Sequence, residues 1–406
     1  MFTIIKIAWK NIWRNPGRSL VIIVSVVLGV WASLFIISFS SGMNEQRIRD
    51  LLQNYTGHVV IQHPDYTREA TVTSVLSETQ QARALLARHP QVRGWTARTL
   101  AAGMAQTSAG SYGVKILGID TLQEQGVTNF HRLLQEGDFL QSFVRNPVVV
   151  GEKLATRLKL SLRSKLVLSF QNLEGEITAG VFRVSGIYRS NNSVYDEGHV
   201  YVRQADLQAL LGDSQAVHEL FILTEDYEQA QGLASSLNEQ LQQDRARHWA
   251  EISPQLAYMN EAMQQFLLIF IGIIALGLTL GIINVMLMAI LERSRELGML
   301  MAIGMSRRRL FGMITAETLL LSSVGLPLGL LLTYLTLQYF RQRGIDLSVV
   351  SEGMASFGYE TRVIPHLEGA YYWQVALIIL FTTLLGSLYP SLKALKLKPV
   401  EAMRRL

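Results

Sequence analysis

The sequence LVIIVSVVLGVWASLFIISF, residues 20–39, decides the fold class of this chain. It contains no charged residue, and at 1.5 Å per residue a helix of this length spans about 30 Å, the thickness of the hydrocarbon layer of a bilayer. Three more uncharged runs follow, at residues 262–291, 318–340 and 369–392. The sequence therefore predicts a membrane α-helical protein with four transmembrane helices, at 19–40, 266–291, 310–340 and 371–391.

The composition of the chain agrees with a membrane protein. Of its 406 residues, 49% are hydrophobic and only 17% are charged. The first apolar run is longer than the roughly 7–15-residue core of a secretory signal, so we expect an uncleaved helix. The chain has no cysteine, which excludes disulfides and thiolate metal sites.

The distribution of charge predicts the topology. Basic residues outnumber acidic ones in the segment 1–18, in the segment 292–309 and in the tail 392–406. Cytoplasmic flanks of membrane helices are enriched in Lys and Arg. Both termini and residues 292–309 are therefore expected in the cytoplasm, with 41–265 and 341–370 on the other side. No basic patch remains for a nucleic-acid partner once these flanks are assigned.

The segments outside the spans have patterns of their own. Residues 1–18 predict a helix on the cytoplasmic membrane surface, since Phe2, Ile5 and Trp9 share one helical face and Lys6 and Lys10 another. Residues 41–265 predict a large extracytoplasmic α/β domain inserted between helices 1 and 2, with helical stalks at 44–54 and 257–265. Its predicted strands are 58–62, 114–119, 148–150, 166–170, 181–188, 200–202 and 220–223. Its predicted helices are 77–88, 151–160, 204–211 and 226–243.

Motifs for catalysis and cofactor binding are missing. There is no G-x-x-x-x-G-K-[ST] to hold nucleotide phosphates and no G-x-S-x-G or H-E-x-x-H. The histidines lack the spacing of a metal site, and Asp196 to His199 is interpreted as a turn. We expect no catalytic residue, no metal and no cofactor on this chain. Spans one, two and four carry no ionisable residue, so we expect them to transmit force rather than conduct a polar cargo.

The cytoplasmic segment 292–309 is amphipathic and too short for a domain. Charge is concentrated at its start, in Glu292, Arg293, Arg295 and Glu296. An apolar side includes Met301, and three small residues would let a partner surface approach closely: Gly298, Ala302 and Gly304. One interpretation is a helix that docks on a cytoplasmic partner. The other is a basic connector, because cytoplasmic loops are generally basic.

Weaker signals lie inside the spans. Gly277 with Gly281, and Gly325 with Gly329, have the spacing of helix-packing glycines and could mark contacts, including contacts at a dimer seam. Glu317 is the one acidic residue in an apolar stretch. It could form a force-transmitting ion pair with a basic residue of the cytoplasmic segments, or its carboxylate could extend to the membrane interface.

Three blocks of sequence resemble a known family. The pattern Glu292-Arg293-x-Arg295-Glu296-x-Gly298-x-x-x-Ala302-x-Gly304 is similar to the coupling-helix signature of the MacB/FtsX-like (type VII) ABC permeases, which include lipoprotein-releasing members. Residues 8–19 resemble the family's first-span segment, and 390–404 its C-terminal signature. Motifs at 118–120, 137–139, 148–150 and 184–187 resemble its periplasmic core domain.

The resemblance implies a permease that works by mechanotransmission in the bacterial inner membrane. Its implied partners are two copies of a separate ABC ATPase that carry the ATP and Mg²⁺, a second permease (itself or a paralogue), membrane lipids, and in some members a periplasmic or outer-membrane carrier or adaptor. The expected cargo is a lipoprotein or another hydrophobic molecule that enters sideways near Met43, Met259 and Met263. The alternatives are a cargo-free mechanotransmitter that regulates an extracytoplasmic partner such as a cell-wall hydrolase, and a drug or peptide exporter.

Overall fold

The computed structural model describes residues 16–66, 71–140, 144–350, 353–354 and 358–395, together with Trp9 and Arg14. Most of the predicted surface helix 1–18 and the C-terminal signature beyond residue 395 lie outside the described residues. The chain divides into two compact units. The helical unit comprises Met1–Asn44, Asn260–Asp346 and Arg362–Leu406, and the α/β unit comprises Glu45–Met259 and Leu347–Thr361.

The described residues form helices and strands in the following order along the chain. The helices are α1 Pro16–Leu51, α2 Thr79–Leu86, α3 Thr121–Val127, α4 Glu152–Arg157, α5 Ser193–Gly198, α6 Gln204–Leu211, α7 Ala230–Asn238, α8 Trp249–Ile252, α9 Pro254–Glu292, α10 Ser294–Ala302, α11 Arg307–Arg343 and α12 Gly369–Ala394. The strands are β1 Val59–Gln62, β2 Val92–Thr107, β3 Gly110–Ile119, β4 Leu134–Gly137, β5 Pro147–Gly151, β6 Lys165–Gln171, β7 Ile177–Tyr188, β8 His199–Arg203, β9 Glu219–Thr224, β10 Arg245–His248, β11 Ile345–Asp346 and β12 Arg362–Val363.

Four helices, α1, α9, α11 and α12, are long and apolar enough to cross a membrane. The first is 36 residues long and the second 39, so each is longer than the roughly 20 residues that a bilayer needs. The predicted stalks are continuous with the spans: α1 runs to Leu51 and ends in a π-helical turn at Leu52–Thr56, and α9 begins at Pro254. The helices α1 and α9 therefore each extend beyond the predicted span into the predicted stalk.

The core of the helical unit is built from the facing apolar sides of these helices. Fully buried residues include Val26, Val30 and Leu34 of α1, Ile282 of α9 and Ile379 of α12. Many other apolar side chains of the same helices remain exposed, as expected for surfaces that meet lipid or another membrane subunit.

The α/β unit contains a closed barrel. Six strands pair in a ring, in the order β2-β3-β8-β5-β7-β6 and back to β2. The barrel interior is filled by apolar side chains such as Ile116, Val150, Leu168, Phe182 and Val200. Closure removes free strand edges within the ring, which lowers the risk of edge-to-edge aggregation.

A smaller open sheet shares strand β2 with the barrel. Strands β10, β1 and β9 continue from the first half of β2, and α2 and α7 pack on this lobe. Arg98 of β2 lies where the two halves meet, fully buried, and pairs with Glu124 of α3 at 2.5 Å and with Glu219 of β9 at 3.5 Å. These three charged side chains therefore link strand β2, which the barrel and the open sheet share, to α3 and to β9.

The seven predicted strands are all present, and several elements were missed. The missed strands are β2, β4 and β10 of the α/β unit and the two-residue strands β11 and β12, and the missed helices include α3 and α8. The predicted helix 226–243 was too long, because α7 ends at Asn238 and strand β10 follows. The turn predicted at Asp196–His199 is wrong: Ser193–Gly198 form α5, which the side chain of Asn192 caps by accepting from the backbone N–H of Val194.

Candidate coupling site

Helix α10 is a separate short helix between two long ones. Glu292 ends α9, and Arg293 has the non-helical conformation φ −100°, ψ 13°, so one residue divides the two helices. The backbone N–H of Leu297 nevertheless donates to the carbonyl of Arg293 at 3.0 Å and so begins the first turn of α10. This break separates the direction of α10 from that of the span before it.

Gly304 ends α10. Its φ is +103°, a conformation that residues with a Cβ rarely adopt. The N–H of Gly304 donates to Met301 O at 3.1 Å, and the N–H of Met305 donates to Leu300 O at 3.0 Å. These two bonds are those of a Schellman C-cap. Gly304 was predicted to make room for a partner; the structure gives it the different task of terminating the helix.

One side of α10 is buried within the chain. Leu297 is 4% exposed, and Leu300 and Met301 pack, partly buried, against the core of the helical unit. Gly298 is also buried. The prediction that Gly298 lies on the partner-facing surface is therefore wrong, since its side of the helix is already covered by this chain.

The other side of α10 is exposed and largely apolar. Met299 is 54% exposed and Ile303 79%. Ala302 lies between them in sequence and is exposed too, as are Arg295 and Glu292. Sequence reasoning missed Met299 and Ile303, although their spacing of four residues places them on one helical face. We call Met299, Ala302 and Ile303 the exposed face of α10.

An ion pair connects the segment to α11. Arg293 Nη1 lies 3.1 Å from Glu317 Oε1 and 3.3 Å from Oε2, and the two side chains are 11% and 7% exposed. Met286, Leu297 and Met313 are among the apolar residues that line the small cavity beside them. Of the two interpretations of Glu317, the structure has an ion pair, formed with Arg293 of the segment 292–309.

The pair extends into a series of four alternating charges. Arg293 Nε also lies 3.3 Å from Glu296 Oε2, and Glu296 forms a further ion pair with Arg14. The hydrogen bond from Arg14 lowers the pKa of Glu296, and Arg293 acts in the same direction. The same hydrogen bond raises the pKa of Arg14. The order Arg14–Glu296–Arg293–Glu317 thus joins the N-terminal segment, α10 and α11.

The four predicted packing glycines divide into two pairs. A Cβ on Gly325 would lie 2.9 Å from Val26 Cβ, and one on Gly329 would lie 2.7 Å from Val30 Cβ, so α11 approaches α1 closely at both. A Cβ on Gly277 or Gly281 would meet no atom within 4 Å. Within the described part of this chain, Gly277 and Gly281 therefore approach no neighbouring helix, and their predicted contact at a dimer seam stays a prediction.

The predicted cargo-access methionines lie near the ends of the stalks. Met259 is 39% exposed, while Met43 and Met263 are half-buried. Met259 Sδ lies 3.8 Å from Arg47 Nη2.

Within the described residues no group of three or more His, Asp or Glu side chains is arranged to hold a metal ion.

Comparison with known proteins adds family evidence to this geometry. Residues 19–240 match a family model described as a MacB-like periplasmic core domain. Residues 268–399 match one described as the C-terminal part of FtsX-like permeases. Together the two models cover most of the four long apolar helices, most of the α/β unit and the segment that contains α10.

Three curated relatives align with nearly the whole chain. YvrN of Bacillus subtilis, an uncharacterized ABC transporter permease, is 25% identical over 98% of each chain. LolC of Neisseria meningitidis, a lipoprotein-releasing system transmembrane protein, is 22% identical over 96% of this chain and 95% of its own. PvdT of Pseudomonas syringae, a pyoverdine export ATP-binding/permease protein, is 20% identical over 99% of this chain and 59% of its own.

Proposed function

This chain belongs to the ABC transporter permeases that have a MacB-like periplasmic core domain and an FtsX-like C-terminal region, and we propose that it transmits the motion of a separate ATPase to its extracellular domain. The family resemblance of the motifs is thereby confirmed, and the chain is a multi-pass membrane protein. The observation that carries the proposal is the ion pair between Arg293 and Glu317. It fixes a short helix with an exposed apolar face to a membrane span.

The exposed face of α10 is where we place the ATPase. Met299 and Ile303 are large apolar side chains that a partner groove would bury, and burial of each contributes about 1.5–3 kcal/mol. Ala302 between them is small, so a partner surface can approach closely. Arg295 and Glu292 lie exposed at the start of the segment and would form the polar rim.

Nucleotide binding is assigned to the partner. The chain has no phosphate-binding G-x-x-x-x-G-K motif, so ATP and Mg²⁺ would be held by the ATPase, of which two copies would serve two permeases. A push on α10 would reach α11 through Arg293 and Glu317. The rods α1 and α9, which run without interruption from span to stalk, would carry the motion outward.

The proposed cargo is a lipoprotein or another hydrophobic, lipid-linked molecule handled at the outer face of the inner membrane. Spans one, two and four contain no ionisable residue to line a polar path. The name of the relative LolC refers to lipoprotein release, and the name of PvdT refers to pyoverdine export. Export of a small amphiphile is therefore the second candidate, and a cargo-free mechanotransmitter the third.

The decisive experiment concerns the exposed face of α10. Ala302→Trp adds a bulky side chain where the partner is placed, and we expect stimulation of the ATPase by the permease to fall at least tenfold. Ala302→Ser keeps the residue small and is the matched control. Unchanged stimulation in Ala302→Trp, with normal folding, would remove the docking assignment.

A second experiment locates the cargo. Photo-crosslinking residues at Met43, Met259 or Met263 should trap it, and one at the buried Met286 should not. Strong adducts at Met286 would indicate a route through the bundle. Adducts with a small amphiphile instead of a lipoprotein would favour the second candidate.

A further inference from the structure

The segment between α11 and α12 leaves the helical unit and returns to it. Residues Leu347–Thr361 belong to the α/β unit, although both flanks belong to the helical unit. A two-residue antiparallel ladder between β11 and β12 closes its base. The sequence indicated only a loop at 341–370, so the contacts of this segment come from the tertiary structure.

Arg47 of the α1 stalk is held by this segment. Its side chain is buried, with the residue 3% exposed. Arg47 Nη1 donates to the hydroxyl of Tyr359 at 3.1 Å, and the guanidinium lies 4.9 Å from the centre of the Tyr359 ring. Among the described residues, no carboxylate lies within 4 Å of the Arg47 guanidinium. The Arg47 cation therefore rests on a hydroxyl and an aromatic face.

A second contact joins the sequence neighbours of Arg47 and Tyr359, which are Gln46 and Glu360. Gln46 Nε2 donates to Glu360 Oε2 at 3.1 Å. Burial raises the pKa of Glu360, and the charge of Asp50 on the next turn of α1 adds to this. Burial likewise raises the pKa of Asp50, against hydrogen bonds from Asn54 and Asn191. Two partly desolvated carboxyl groups on opposite sides of the contact oppose its closure when both are ionised.

The returning chain also lies close to α1 within the helical unit. The N–H of His366 donates to Ser38 O at 3.0 Å. A Cβ on Gly42 would lie 2.3 Å from Ile364 O and 2.8 Å from His366 N. Only glycine allows this approach, because an added methyl group would overlap backbone atoms.

We propose that residues 358–366 form a strap on the first helix, closed by Arg47 with Tyr359 and by Gln46 with Glu360, which must open and close again as the permease works. This inference rests on the proposed function. The contact is suited to repeated opening, because a cation–π and hydroxyl contact is weaker than a buried ion pair. The opposed carboxyl groups of Asp50 and Glu360 weaken the closed state further.

The test uses the absence of native cysteines. Gln46→Cys and Glu360→Cys are introduced together in the full chain, in membranes with its ATPase. A short bis-thiosulfonate reagent, cleavable by reductant, then bridges them. We expect ready crosslinking, a fall in permease-stimulated ATP hydrolysis of at least tenfold, and recovery after reduction. The two single variants should give no bridge, and the reagent should not change the activity that each of them has before its addition.

Each outcome has a defined meaning. Failure of the two cysteines to crosslink contradicts the closed strap, and full activity of the bridged protein contradicts its opening. If the native chain stimulates no ATPase, the proposed function fails and the strap is judged by crosslinking alone. For that judgement Tyr359→Leu should slow crosslinking several-fold while Tyr359→Phe, which keeps the ring, should slow it less. Equal rates in all three proteins overturn the strap.

Discussion

Arg293 Nη1 lies 3.1 Å from Glu317 Oε1, so the residue directly before α10 forms an ion pair with a carboxylate on α11. Both side chains are largely buried. Removing one partner of a buried ion pair leaves the other charge without compensation, which typically costs about 3–5 kcal/mol. The pair therefore links the start of α10 to α11 through a buried contact that is costly to break.

Breaking this pair should uncouple the permease. We expect Glu317→Gln to lower the unfolding free energy by about 3 kcal/mol and to reduce ATPase stimulation, because Arg293 loses the more buried of its two carboxylate partners and keeps only Glu296. Glu239→Gln, at an exposed position of the α/β unit, is the control. The exchanged pair Arg293→Glu with Glu317→Arg should recover part of the coupling. Equal stability of Glu317→Gln and native protein in detergent would contradict the structural role of the pair.

Gly304→Ala should damage the end of α10. At φ +103° an Ala residue is strained by about 1–2 kcal/mol, so the C-cap should open and the exposed face should lose its position. Hydrogen exchange at residues 299–305 should rise, and ATPase stimulation should fall. Gly312→Ala is the matched control, since a Cβ there meets nothing within 4 Å. Unaltered exchange in Gly304→Ala would show that the cap does not hold α10.

Glycine-to-alanine substitutions should separate the two pairs of span glycines. Gly329→Ala places a methyl group 2.7 Å from Val30 Cβ, and Gly325→Ala one 2.9 Å from Val26 Cβ. We expect both to lower the melting temperature of the purified chain, whereas Gly277→Ala should leave it unchanged or raise it. A loss of permease dimer in Gly277→Ala, with normal melting, would place that glycine at a subunit contact. A melting temperature of Gly329→Ala equal to the native value would argue against the close approach.

The orientation in the membrane can be tested by single cysteines. Gln171 and Ser306 are both exposed. We expect an impermeant thiol reagent added to intact cells to label Gln171→Cys and not Ser306→Cys, because the basic flanks predict that residues 292–309 lie in the cytoplasm. Permeabilised cells should label both. The reverse pattern of labelling would invert the proposed topology.

The stability of the α/β unit should depend on the ionisation of Asp196. Burial raises the pKa of Asp196 to about 6, although the N–H of Ser190 donates to the carboxylate at 3.1 Å. The folded state thus favours the protonated carboxyl. Its contribution to stability is complete below the ordinary pKa of 3.8 and is lost as the pH rises through about 6.

Between pH 4 and pH 6 we therefore expect the unfolding free energy of the native protein to fall relative to that of Asp196→Asn, by up to about 3 kcal/mol. Burial lowers the pKa of His58 and of His199 to about 4, which gives the opposite trend in the same range. Both histidines are present in both proteins, so the difference isolates Asp196. Parallel pH profiles of the two proteins would contradict this assignment.

Several elements of the α/β unit could be predicted from sequence, and others, such as strand β2, could not. Strands such as β5 and β8 are runs of Val and Tyr, which favour extended structure wherever they occur. Strand β2 contains four Ala and two Gly residues in its 16 positions and has no such pattern. It is extended because β3 pairs with one edge, while β9 and β6 pair with the other. Pairing of distant segments outweighed its local preference.

The candidate coupling site could likewise be predicted only in part from the sequence. The charged start of segment 292–309, Glu317 and the glycines could all be identified by type and spacing. The structural roles of these residues could not be predicted in this way. Gly298 is buried, Gly304 is a cap, and Met299 and Ile303 are the exposed apolar residues. A helical period shows which residues share a face, but the face that another element covers depends on how that element packs.

The sequence by itself determined the four long apolar helices of a multi-pass membrane protein and the family, because uncharged length and motif spacing are properties of contiguous residues. Only the tertiary structure decided that six strands close into a barrel, that Arg293 bonds to Glu317 and that Tyr359 holds Arg47. Each of these joins segments far apart in the chain. Such contacts depend on the packing of whole helices and strands, which local hydrophobicity and charge constrain but do not specify.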